Sequence, residues 1–168
     1  MKQVLTVFLL FSQLISQDDS KIYWNSLATD VTVGVPLADD ESLIGGRIQV
    51  KASFDGGTSF NDLGDKFIIE KRDTDDLKEV SIPENIFEAI PGFKEGVETR
   101  FIAEVWDRAG NSMIGSVSDS VLIIDQTLPT VVSMELTSSN ELNAEMAMPG
   151  DSITFQLNTS EPIGSPLF

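Results

Sequence analysis

Three carboxylates stand in settings that suit chemistry. Asp55 lies in SFDGGTSF at residues 53–60, Asp107 in VWDRAGN at residues 105–111, and Asp125 in IDQTLPTV at residues 124–131. Carboxylates placed either side of a sugar linkage work as acid, base or nucleophile. Gathered with carbonyl oxygens, they hold a hard divalent cation. Most other catalytic groups are missing. The chain has no histidine and no cysteine. That removes Ser-His-Asp and Cys-His machinery, ordinary zinc sites and disulfides. An enzyme built here would rely on carboxylates, Lys, Tyr or Ser.

The first motif fits S-x-D-x-G-x-x-[W/F], the spacing of the Asp-box hairpin best known from sialidases. A propeller needs several such boxes on several blades, and a cluster of arginines for its substrate. This chain has one box and the scattered Arg47, Arg72, Arg100 and Arg108. Asp55 is therefore expected to be a turn residue, accepting from turn amides beside glycines that permit positive φ. The acidic run RDTDD at residues 72–76 lacks the glycine and the distal glutamate of an EF-hand loop, and reads as a solvated loop. Asp39-Asp40-Glu41 reads as a charged turn. Trp24 and Trp106 are the residues for a carbohydrate platform, but they are far apart in sequence and Trp106 falls on a strand face opposite the core.

These residues must be positioned by strands. Val31, Val33, Val35 and Leu37 alternate with polar or small residues, as do Ile48, Val50, Ala52 and Phe54. Phe67 with Ile69, Val80 with Ile82, the series Val97 to Val105, and residues 121–124 complete the pattern. Period two with one apolar face predicts half-buried antiparallel strands. Gly-Gly, Asp-Gly, Pro-Gly and Gly-Asn pairs separate them. Residues 83–90 (PENIFEAI) predict a turn or two of helix, with Pro at its start. Several strands in about 100 residues with no long helix predict a β-sandwich.

The ends of the chain differ from this middle. The chain is 168 residues long with a net charge of -16. Such an acidic balance argues against nucleic acid and anionic membrane as partners. Lys2, the apolar run at residues 4–15 and the small Ser16 read as a secretory signal peptide, residues 1–17, cut near Ser16 or Gln17. This predicts a secreted or cell-surface protein with no membrane insertion after cleavage. A polar, proline-containing joint follows Ile124. Beyond it, Val132, Met134 and Leu136, then Ile153, Phe155 and Leu157, alternate again. Two strands cannot bury a sandwich face. The expected domains are a sandwich over 18–125 and the N-terminal part of a second, truncated unit over 126–168.

Three stretches carry a family resemblance. VWDRAGN resembles the D-x-A-G-N motif of bacterial immunoglobulin-like and fibronectin type III-like repeats. IDQTLPTV resembles the I-D-T-T-x-P-x-V joint between such repeats. MPGDSITF at residues 148–155, followed by Ser160-Glu161-Pro162-Ile163, resembles the G-D-x-I-T-[FL] and S-E-x-I pattern early in the next repeat. Residues 90–105 resemble a fibronectin type III corner, but Thr99 stands where the corner tyrosine belongs. A threonine cannot span that corner, which favours a looser immunoglobulin-like sandwich. The resemblance implies an all-β, immunoglobulin-like antiparallel β-sandwich followed by the incomplete start of a second similar repeat. For Asp107 and Asp125 it leaves two readings: turn residues, or ligands of a calcium ion that stiffens the joint between repeats.

The implied function is a non-catalytic extracellular module, a structural spacer or adhesin-type binding region of a larger secreted or cell-surface bacterial protein. Its partners would be neighbouring repeats and a cell-surface protein or carbohydrate ligand. The alternative is an accessory domain at the front of a secreted glycoside hydrolase or peptidase whose catalytic part lies elsewhere.

Overall fold

The computed structural model describes residues 8–10 and 21–162. The chain divides into two compact units, Met1–Gln126 and Thr127–Phe168, with the division inside the expected joint. The first unit is an all-β sandwich. Its smaller sheet has the order β1 (Phe8–Leu10), β3 (Asp30–Pro36), β7 (Leu77–Pro83). Its larger sheet runs β2 (Lys21–Trp24), β10 (Val121–Ile124), β8 (Glu98–Trp106), β4 (Arg47–Ser53), β5 (Asn61–Asp62). Two short strands extend it: β6 (Phe67–Ile68) pairs with β4, and β9 (Ser112–Ile114) pairs with β8.

The strands follow from the alternation. Val31, Val33 and Val35 of β3, with Val80 and Ile82 of β7, form one wall of the core. Ile48, Val50 and Ala52 of β4, with Phe101, Ala103 and Val105 of β8 and Leu122 and Ile124 of β10, form the other. β-Branched side chains make up the first wall and half of the second, as suits a pleated, buried surface. The pairing is antiparallel except at one edge, where β2 runs parallel to β10 with Trp24 beside Ile124. This departs from a wholly antiparallel sandwich. Trp24 is fully buried there and is a core residue, so it belongs to no surface platform. Trp106 lies on the opposite face of the larger sheet, with the Lys66 ammonium 3.9 Å from its ring centroid.

Helix α1 (Glu84–Phe87) is a single turn after Pro83. It delivers Phe87 into the core between Trp24, Phe54, Phe93 and Phe101. Thr99, at the expected corner position, is fully buried, and its hydroxyl has no hydrogen-bond partner. An unpaired buried hydroxyl costs free energy that an isosteric methyl does not. Thr99→Val is expected to stabilise the first unit by about 1 kcal/mol. A urea titration in which the variant unfolds no later than the parent would contradict this.

Gln49 and Ser118 are among the buried polar residues that the alternation does not mark. Gln49 falls on the nominally outer face of β4 but is buried, because the Leu63-Gly64 turn lies over it. Its amide donates to the carbonyls of Val50, Leu63 and Gly64. Ser118 lies in the break between β9 and β10, where its hydroxyl accepts from the Phe101 amide and donates to the Ser120 carbonyl. It satisfies backbone groups that the interrupted ladder would leave unpaired.

The second unit is a hairpin of β11 (Val131–Ser138) and β12 (Ile153–Thr159). Met134 pairs with Leu157 and Leu136 with Phe155, so one face is apolar and exposed. Of the expected signal peptide, the described part is the strand Phe8–Leu10 on the edge of β3. The rest of that reading, and Ile163 of the second repeat pattern, lie outside the described residues.

Candidate functional site

Asp55 sits in a closed turn. One carboxylate oxygen accepts from the Ser53 hydroxyl and from the Thr58 and Ser59 amides. The other accepts from the Ser59 hydroxyl. Gly56 and Gly57 take φ of 76° and 92°, the left-handed region open to glycine. The hydroxyl and amide of Ser59 and the hydroxyl of Ser53 hold the Asp55 carboxyl far below its ordinary value. Four hydrogen bonds from within the turn engage the carboxylate, as expected of a turn residue.

The acidic loop at residues 72–76 is not wholly solvated. Asp73 is buried, accepting from the Glu70 amide at 2.8 Å and from the Lys78 ammonium at 3.1 Å. Burial pushes its carboxyl up, but the Glu70 amide and Lys78 outweigh burial and hold it below the ordinary 3.8. A carboxyl lowered by folding stabilises the native state above its unfolded pKa. That contribution is lost as pH falls through the lowered value. Asp73→Asn should therefore reduce stability at pH 7 and flatten the loss of stability below pH 3.8. Parallel acid melts of parent and variant would disprove the linkage.

The two residues expected at a cation lie at opposite ends of the sandwich. Asp107 follows the C-terminal end of β8, whereas Asp125 follows β10. β10 is antiparallel to β8 and pairs with its start, Ile123 beside Glu98. A nine-residue strand rising about 3.3 Å per residue keeps the two roughly 25–30 Å apart. The fold therefore does not bring Asp107 and Asp125 to one ion. Asp107 accepts from the Asn111 amide at 2.8 Å and from the Asn111 side chain at 2.7 Å. The backbone of Asp125 donates to the Trp24 carbonyl, and the neighbouring Gln126 reaches Glu88 and Glu95. Among the described residues, no group of three or more acidic side chains is placed to hold a metal ion. Melts of the protein with calcium and with chelator are expected to superimpose. A rise of several degrees with calcium would reveal a site that this geometry does not provide.

The structure does bring together a pair the sequence left apart. Asp40 and Asp107 both line a cleft of about 480 Å³ at one end of the sandwich. Asp40 ends an extended loop and caps the short 3-10 turn Glu41–Leu43 by accepting from the Ser42 amide at 2.8 Å. The Arg108 amide donates to the Ser42 carbonyl and ties that turn to the end of β8. The Ser42 backbone amide, then its hydroxyl, hold Asp40 below the ordinary carboxylate value, against opposing effects of desolvation and of the Asp107 charge. Asn111 does the same for Asp107. Both groups are anions at neutral pH. Apolar walls of Leu37, Leu43, Val105 and Met113 complete the cleft. Its lining contains no lysine or arginine.

Charged turns on either side of a hydrophobic gap are visible in the sequence. Their proximity is not, because residue 40 and residue 107 meet only once β4 pairs with β8. The chain matches no protein-family model and no curated protein by sequence.

Proposed function

We propose that the chain is a non-catalytic extracellular immunoglobulin-like repeat module, a spacer or adhesin-type binding region of a larger secreted or cell-surface bacterial protein. The observation that carries this reading is the fate of the motif carboxylates. Asp55 and Asp107 each accept hydrogen bonds from their own turns, as structural residues do. The chain has no histidine or cysteine, so Ser-His and Cys-His nucleophile pairs are absent from it. Sheet order also supports the immunoglobulin-like assignment, since a short parallel strand joins the edge of an otherwise antiparallel sheet. The second unit supports the repeat. Its hairpin is apolar on one face, the form a sandwich half takes before a second sheet covers it.

Export is the direct test. The full chain, expressed in a bacterial host with an intact secretion system, is expected outside the cytoplasm with a new N-terminus near Gln17. Cytoplasmic protein that retains residues 1–17 would overturn the extracellular reading.

A further inference from the structure

The cleft beside Asp40 and Asp107 opens onto an unpaired strand edge. β9 pairs with β8 and with no other strand among the described residues. The Asp107 amide donates to the Asn111 carbonyl and the Gly115 amide donates to the Ala103 carbonyl. In an antiparallel ladder these bonds bracket Val105 and Met113 as the pair that exchanges both hydrogen bonds. Ser112 and Ile114 then direct their N–H and C=O groups away from β8, toward the open edge. Met113 shares the inward face of Val105 and lines the cleft, yet is 42% exposed. Ile114, on the outer face, is 59% exposed.

An unpaired edge of this kind accepts an extended segment through main-chain hydrogen bonds, and pockets for alternate side chains then select its sequence. A residue placed opposite Met113 would direct its side chain to the same face, into the cleft. The chemistry there selects a long cation. Leu37, Leu43 and Met113 suit an aliphatic stem, and Asp40 and Asp107 suit a charged tip. A hard metal ion is a poorer match, because it requires six to eight oxygens and turn amides already occupy part of both carboxylates. An ammonium needs only three acceptors. The net charge of -16 would favour approach of a basic segment.

We propose that β9 and the adjoining cleft bind an extended, basic segment of a partner protein, with a lysine or arginine opposite Met113 seated between Asp40 and Asp107. The inference rests on the binding-region reading above and names the partner chemistry. The two fail separately, because export is read in a cell and this binding is read with purified protein.

The probe is a short end-blocked peptide that alternates threonine and valine around one central lysine. Titrated into the full chain, it should shift the amide resonances of Ser112 and Ile114. Substituting norleucine for the lysine, or combining Asp40→Asn with Asp107→Asn, should weaken binding about tenfold or more. Asparagine retains a capping oxygen at both turns, and unchanged melting would confirm that the double variant is folded. Ile114→Pro removes an outward N–H while sparing the β8 ladder, and should abolish the shift at Ser112. The proposal is overturned if the lysine peptide does not bind at millimolar concentration. Equal binding of the norleucine peptide, or equal binding by the folded double variant, would also overturn it. So would calcium moving the Ser42 and Asn111 amides while the peptide does not, which would assign the cleft to a cation.

Discussion

Phe87→Ala is expected to lower the unfolding free energy of the first unit by about 3–5 kcal/mol. Phe87 is fully buried, and its ring centroid lies 5.0 Å from Trp24, 5.5 Å from Phe93, 5.7 Å from Phe54 and 6.1 Å from Phe101. Truncation removes the transfer free energy of a large ring and leaves a cavity lined by four aromatics that cannot all collapse into it. It also releases the one turn of α1, whose only buried residue is Phe87. A domain of this size has about 5–15 kcal/mol in hand, so the variant should sit close to unfolding. Urea titration followed by the fluorescence of the buried Trp24 reads the change. A loss below about 1 kcal/mol would mean that the cluster repacks, contrary to the close packing expected of a core.

Gly46→Ala is expected to cost about 3 kcal/mol, at the upper end of overpacking effects. A Cβ on Gly46 would lie 2.1 Å from the Trp106 carbonyl oxygen and 2.8 Å from that of Leu43. Both are backbone atoms, so no side chain can swing aside. Relief must separate the start of β4 from the end of β8. That movement also disturbs the bonds from the Gly46 amide to Leu43 and from the Ile69 amide to Gly46. The same corner carries the 3-10 turn that holds Asp40, so the cleft should loosen with it. Gly56→Ala is the contrast. Its φ is 76° with nothing near the added Cβ, so only the backbone preference opposes it, at about 1 kcal/mol. Denaturation midpoints of the two variants in one series should separate clearly. Equal midpoints would show that the β4–β8 corner yields without cost.

Much of the sandwich was legible in the chain. Alternation at residues 31–37, 48–54 and 97–105 marks β3, β4 and β8 because a strand face repeats every second residue, a property local to each segment. PENIFEAI likewise marks α1, since Pro83 suits a helix start. The short strands β2, β5 and β9 were not legible. Two to four residues carry too little pattern of their own; β5 and β9 fold back onto β4 and β8, and β2 pairs with the distant β10. Gln49 and Asp73 were assigned to solvent because each is polar. The Leu63-Gly64 turn covers Gln49, and Asp73 turns back onto the Glu70 amide and the Lys78 ammonium.

The sequence by itself determined the class of the fold, the turn role of Asp55, and the exclusion of histidine- and cysteine-based chemistry. Those conclusions need only residue types and short-range spacing. The tertiary structure alone decided which carboxylates meet. Antiparallel pairing of β8 with β10 sends Asp107 and Asp125 to opposite ends, and pairing of β4 with β8 brings the turn before β4, capped by Asp40, to the end of β8 that carries Asp107. Pairing and packing are long-range choices, made by the hydrophobic core as a whole. No carboxylate records in its own neighbourhood which distant turn will face it.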